Sequence, residues 1–267
     1  VRRSDVKRVS VVLVILVWIG VLLAACGEKA TSTNGLSNPD AALSPAKIRV
    51  GVEGILPPFE AINTTTKELT GFDIELMKAI ATRAGLNIQF VNVGKNQLLS
   101  GVLNCQYDAG ISAISMTDEL RQQLEFSDPY LTVAQALVVQ KGNITITGPD
   151  QLPGMTIGAQ RGSSGASEVQ NIPGTQLAIY PSFDLAFQEL ISGNIDAVLA
   201  GKPRATSYAS VPSNKLKIVG GEFGSETYGI AVCKENPALL TKINEGLAAV
   251  KADGTLDKLT RKWLANP

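Results

Sequence analysis

Three cysteines and not a single histidine set the chemistry open to this chain of 267 residues. The commonest general base and the commonest metal ligand are both missing. Cys26, Cys105 and Cys233 are the candidate thiols. The Gly-rich turn at 158–165 carries Ser163 and Ser164 ahead of a helical stretch but has no Gly-Lys-Ser, so it is not a nucleotide-binding loop. Its amides at a helix start would suit a carboxylate or another anion, and the two serines would serve equally as helix caps. Lys plus Arg equals Asp plus Glu at 24 each, and no basic run interleaved with aromatic residues occurs beyond the first eight positions. Nucleic acid is therefore not an expected partner. No cofactor or metal is expected from these residues.

The first 25 residues set the address. Arg2, Arg3, Lys7 and Arg8 precede a stretch that is apolar or small apart from Ser10. That is the charge order of a signal peptide, a little short of the roughly 20 apolar residues a membrane span needs. It ends at Leu23-Ala24-Ala25-Cys26, which resembles the lipobox of bacterial lipoproteins, where cleavage before the cysteine follows acylation of its thiol. An uncleaved anchor helix is the alternative. Residues 26–45 form a flexible tether rich in Gly, Ser, Thr, Asn, Ala and Pro, able to hold a domain on the order of 25 Å from a bilayer. Cys105 and Cys233 could pair in an oxidising compartment or remain two free thiols, and their spacing leaves both open.

Beyond residue 45, short β-branched runs alternate with helical periodicities, the pattern of an α/β fold. Strands are expected at 48–52, 88–93 and 108–115, with helices at 71–84 and around Leu98, Leu99 and Val102. The helix at 71–84 puts Ile74, Met77, Ile80, Ala81 and Ala84 on one face, leaving Asp73 and Glu75 to a solvated face and a helix start. A similar run follows, with strands at 155–159, 196–200 and 216–219. Its main helix carries Phe183, Ala186, Phe187, Leu190 and Ile191, capped by Ser182 and closed by Gly193. Helices after Asn236-Pro237 and Asp253-Gly254 end the chain. Extended segments at 136–140 and 225–230 cross between the halves. The expected architecture is two lobes joined by two crossover strands, lobe 1 at 46–138 and 225–267 and lobe 2 at 139–224, with ligand between them.

Gly71-Phe72-Asp73-Ile74-Glu75-Leu76 resembles the signature of the polar amino acid family of extracellular solute-binding proteins. The family's order continues in Pro57-Pro58-Phe59-Glu60, Ser115-Met116-Thr117-Asp118-Glu119, Phe126-Ser127-Asp128-Pro129-Tyr130, Gly193-Asn194-Ile195-Asp196-Ala197-Val198 and Ala252-Asp253-Gly254-Thr255. The resemblance implies a class II periplasmic-binding-protein-like fold and the capture subunit of an ABC importer for amino acids or similar small polar solutes. Its partners would be a permease, an ATPase and, through Cys26, the membrane, and the subunit would be a monomer.

Carried over by position, Glu53 matches the family's ligand-binding acid, Ala113 its carbonyl, Ser115 its hydroxyl and amide, and Ser163 with Ser164 its helix-opening turn. Phe59 and Arg161 are further candidates. Three positions depart. Leu56 replaces a stacking aromatic. Leu120 stands where an arginine holds the ligand α-carboxylate, and Arg121 comes one residue late, a rotation of about 100° on a helix. Gly201 stands where an aspartate takes the α-ammonium. Arg204 and Lys202 lie near the expected cleft and are read as surface residues. Two other functions fit the same fold: a ligand-sensing module reporting to a membrane partner, and an enzyme of the cyclohexadienyl dehydratase type, in which Glu53 would be the chief acid.

Cys26→Ala should leave the domain folded and abolish lipid modification. Detergent partitioning checks this: wild type should enter the detergent phase and the variant the aqueous phase, whereas equal aqueous recovery would argue against lipidation.

Overall fold

A computed structural model describes residues 47–265 apart from Ile55. The expected leader, tether and Cys26 lie outside the described residues. The elements run β1 (Ile48–Val52), β2 (Ala61–Ile62), β3 (Leu69–Thr70), α1 (Phe72–Ala84), β4 (Ile88–Asn92), α2 (Lys95–Leu103), β5 (Ala109–Gly110), α3 (Asp118–Gln123), β6 (Glu125–Phe126) and β7 (Leu131–Gln140). Then follow β8 (Thr156–Gln160), α4 (Ser164–Gln170), β9 (Gln176–Tyr180), α5 (Phe183–Ser192), β10 (Ala197–Gly201), α6 (Lys202–Ala209), β11 (Leu216–Tyr228), β12 (Ala231–Val232), α7 (Pro237–Ala252) and α8 (Thr255–Trp263).

Two five-stranded sheets result, ordered β4-β1-β5-β12-β6 and β11-β7-β10-β8-β9. In the first, β1 pairs in parallel with both β4 and β5, so side chains following β1 and β5 emerge at the same edge. Its core joins Val50 and Val52 to Ile74, Met77 and Ile80 of α1 and to Ile243 and Leu247 of α7. The second sheet is covered on both faces. Phe187 and Leu190 of α5 lie in one cluster, Val169 of α4 and Phe223 in the other. Such two-sided burial explains why β10 reads as the unbroken run Ala197–Gly201, every residue buried.

β7 and β11 are the crossovers. They pair antiparallel from Leu216↔Gln140 to Tyr228↔Leu131, with register shifts between Val219 and Phe223 and again before Ser225. A bulged ladder bends where it is interrupted. The strand expected at 108–115 is shorter than its apolar pattern suggests: it comprises Ala109 and Gly110, because the chain then turns out of the sheet through Ala113 at φ 40°, and Ser115 returns only as an isolated bridge to Tyr228. The sequence reading passed over α6, whose start is marked by Pro203 but whose face lacks apolar periodicity.

Cys105 and Cys233 form a disulfide with Cα atoms 5.3 Å apart, closing a sequence separation of 128 residues. This decides between the two states the sequence left open. Replacing both with serine should cost about 2–5 kcal/mol of unfolding free energy, read by urea denaturation, with solute affinity unchanged because the bridge sits away from the cleft. Equal stability of the oxidised wild type and the variant would contradict this.

Candidate ligand cleft

The cleft is built from the loop after β5. Ala113 adopts a left-handed backbone, which costs an L-residue about 1–2 kcal/mol. Asp73 holds it there: its Oδ2 accepts a hydrogen bond from the Ala113 amide at 2.6 Å and another from the Tyr130 hydroxyl at 3.0 Å. Asp73 is completely buried, which corrects its expected place on a solvated face; Glu75 does reach the surface, where it pairs with Lys262. The start of α1 explains the difference. Gly71 has φ 122° and packs so tightly that a Cβ would lie 2.2 Å from the Phe59 carbonyl, which drives the first turn under residue 113. Burial and the neighbouring carboxylate of Asp73 push Glu60 well above the usual carboxylate range, and burial is the main cause that brings Asp73 to about 6.

Ser115, which the strained loop presents, donates its hydroxyl to Glu226 Oε1 at 2.5 Å. The Ser164 amide at the start of α4 donates to the same oxygen at 3.3 Å, and the Tyr228 hydroxyl donates to Glu226 Oε2 at 2.8 Å. One carboxylate on β11 thus collects donors from both lobes and from the crossover strand. Gly201 makes room for it: a Cβ there would fall 2.4 Å from Tyr228 Oη and 2.8 Å from Glu226 Oε2.

Other charges converge on this point. Glu53 and Lys95 are buried, and both meet Ser112: the Glu53 amide donates to its hydroxyl and Lys95 Nζ to its carbonyl, each at 3.3 Å. Arg204, only 3% exposed, lies over the rings of Phe59 at 5.7 Å and Phe183 at 4.8 Å. This corrects its expected surface position. Burial raises the Glu53 carboxyl, opposed by Lys95 and Arg204, and lowers the Lys95 ammonium, opposed chiefly by Glu53. Glu53 Oε2 and Gln135 Oε1 are buried without a hydrogen-bond partner, and among the described residues no ion pair joins Glu53 or Glu226 to Lys95 or Arg204. Buried charge of both signs that does not pair is costly unless something else enters the gap.

The sequence-derived positions divide. Glu53, Phe59, Ala113, Ser115, Ser164 and Gly201 surround or support this charged cleft, and Leu56 is buried beside it, its amide on the Glu60 carbonyl. Ser163 acts as the cap of α4, its hydroxyl accepting from the Ala166 amide. Arg161 is exposed and lines a cavity of about 570 Å³ between α2, α3 and α4 that Leu120 and Ser163 also line. Arg121 is exposed, and its Nε donates to the Met116 carbonyl. Lys95 and Glu226 escaped the sequence reading. A lysine at a helix start and a glutamate in an extended segment give no sign of burial by themselves.

Two sheet-containing lobes, two crossover strands and polar groups converging from both sides define the class II fold of periplasmic binding proteins. The chain belongs to the bacterial extracellular solute-binding proteins, family 3, which it matches over residues 48–266. It is 33% identical over 222 residues to ABC transporter arginine-binding protein 1 of Escherichia coli K12, covering 81% of this chain and 90% of that protein. It is 29% identical to the L-cystine-binding protein TcyJ of the same strain, covering 91% of each. An ancestral arginine-binding protein solved with glutamine bound is 39% identical, with a TM-score of 0.75 over 81% of this chain and 97% of that one. These are solute-binding proteins, not enzymes.

A carboxyl with a raised native pKa holds a proton that the unfolded chain releases, so stability declines as pH rises from the unfolded value of 3.8 to about 6 for Asp73. Glu60→Gln removes the neighbouring acid. Its melting temperature relative to wild type should therefore climb steadily between pH 4 and pH 8. A difference that does not change with pH would contradict the buried carboxyl pair.

Proposed function

We propose that this chain is the extracytoplasmic substrate-binding subunit of an ABC importer, capturing amino acids or similar small polar solutes between its lobes. Family membership supports the transport role. The observation that carries the site is the convergence of Ser115, Ser164, Glu53, Arg204 and Glu226 from both lobes and a crossover strand onto one buried point. Contacts that need both lobes exist only when the lobes are together, so a solute that makes them draws the lobes closed.

In this reading the lobes comprise residues 46–138 with 225–267, and 139–224. Glu53 and Glu226 are the principal polar contacts, Phe59 the apolar floor, and Ala113 a backbone support. Arg161 and Ser163 border the entrance. The finer address is a lipid anchor at Cys26 holding a monomer near its permease. Among the described residues no helix is long and apolar enough to cross a membrane.

Calorimetry with a panel of amino acids, amines and other small polar solutes tests the proposal. At least one should bind with Kd below about 10 μM, and Glu53→Gln should weaken it about tenfold or more, as expected for loss of a charged hydrogen-bond partner. Arg121→Ala should leave affinity unchanged. Absence of binding across the panel would overturn the function, and loss of binding in Arg121→Ala would overturn the placement of the site.

A further inference from the structure

We infer that the solute held here is an organic cation with no carboxylate beside its amino group, such as a diamine or a guanidinoalkylamine, rather than an α-amino acid. This rests on the solute-binding reading above and goes beyond it in naming the charge pattern of the ligand.

The first support is occupancy. Ser115 Oγ and the Ser164 amide, donors at positions that the family resemblance places at the ligand, are already hydrogen-bonded to Glu226 Oε1, and Tyr228 satisfies Oε2. A ligand carboxylate arriving there would have to displace a buried one or lie against it, and like charges at such distance disfavour each other strongly. No arginine compensates from α3. Residue 120 is a leucine on a cavity wall, and Arg121 is bonded to the Met116 carbonyl on the exposed side of α3.

The second support is the kind of atom left without a partner. Apart from the Glu60 and Asp73 pair, which share a proton between them, the buried side-chain atoms around the cleft that lack hydrogen bonds are both acceptors: Glu53 Oε2 and Gln135 Oε1. The sole buried donor in that condition among the described residues is Trp263 Nε1, on α8. Acceptors of this kind call for N–H groups.

The third support is the charge balance. Glu53, Glu60, Asp73, Asp184 and Glu226 lie around two buried cations, Lys95 and Arg204. Lys95 is tied to the Ser112 carbonyl and Arg204 is held between two rings. Even with one proton on the Glu60 and Asp73 pair, negative charge is in excess, and an entering cation offsets it.

The test uses the purified full chain and paired probes that differ only by a carboxylate: agmatine against arginine, and cadaverine against lysine. Titration calorimetry should give tighter binding of at least one amine than of its parent amino acid, by about tenfold or more. Glu226→Ala, verified as folded by its thermal melt, should narrow that ratio about tenfold by vacating the donors. Glu226→Gln, which keeps the side chain in place and removes its charge, should fall between. Arginine or lysine binding more tightly than its amine would overturn the inference while leaving the solute-binding function intact. The same follows if only a solute that is neither amine nor amino acid binds. If nothing binds, the function itself fails and the inference with it.

Discussion

The arrangement of the cleft depends on a single carboxylate. Glu226 receives the Ser115 hydroxyl from one lobe, the Ser164 amide from the other and the Tyr228 hydroxyl from its own strand. Hydrogen bonds to a charged group contribute about 1.5–3 kcal/mol each, so three on one buried anion are enough to decide how the lobes meet. They also fix what else can enter. Donors spent on an internal carboxylate are not available to a ligand's, and the absence of a side chain at Gly201 is the steric condition for this arrangement.

Behind that carboxylate stands a second constraint, on the backbone. Ser115 can reach Glu226 because the chain leaves β5 through a left-handed Ala113, and that conformation is held by Asp73. Asp73 is in turn placed by Gly71, where no side chain fits. The Gly-Phe-Asp signature therefore acts at a distance, through the hydrogen bond from the Ala113 amide to Asp73, on the loop that presents Ser115. Its cost is the burial of two acids, Glu60 and Asp73, whose proton is retained toward neutral pH.

Much of the architecture was legible in the sequence because it follows from apolar periodicity. The α1 stripe from Ile74 to Ile80, the capped α5 and the Asn236-Pro237 start of α7 all appear where pattern and capping place them. The site was legible only where backbone or hydroxyl groups recur in a known order, as at Ala113, Ser115 and Ser164. Apart from Glu53, charged residues carried no such signal. Arg204 reads as a surface residue because it lies in the first turn of a helix, where a charge is normally solvated, and Lys95 at the start of α2 gives no sign of burial; the burial of both depends on elements distant in sequence. Asp73 was misplaced for the same reason. Glu226 is paired by residues 62 and 111 positions away, a relation no local pattern can contain.

The most direct measurement is a crystal structure of the chain with the tightest solute from the binding panel. The account places the ligand between the lobes, its nitrogen donors on Glu53 and Gln135, with Glu226 still held by Ser115 and Ser164. A ligand carboxylate on Ser115 and Ser164, with Glu226 swung onto the ligand's ammonium, would contradict it.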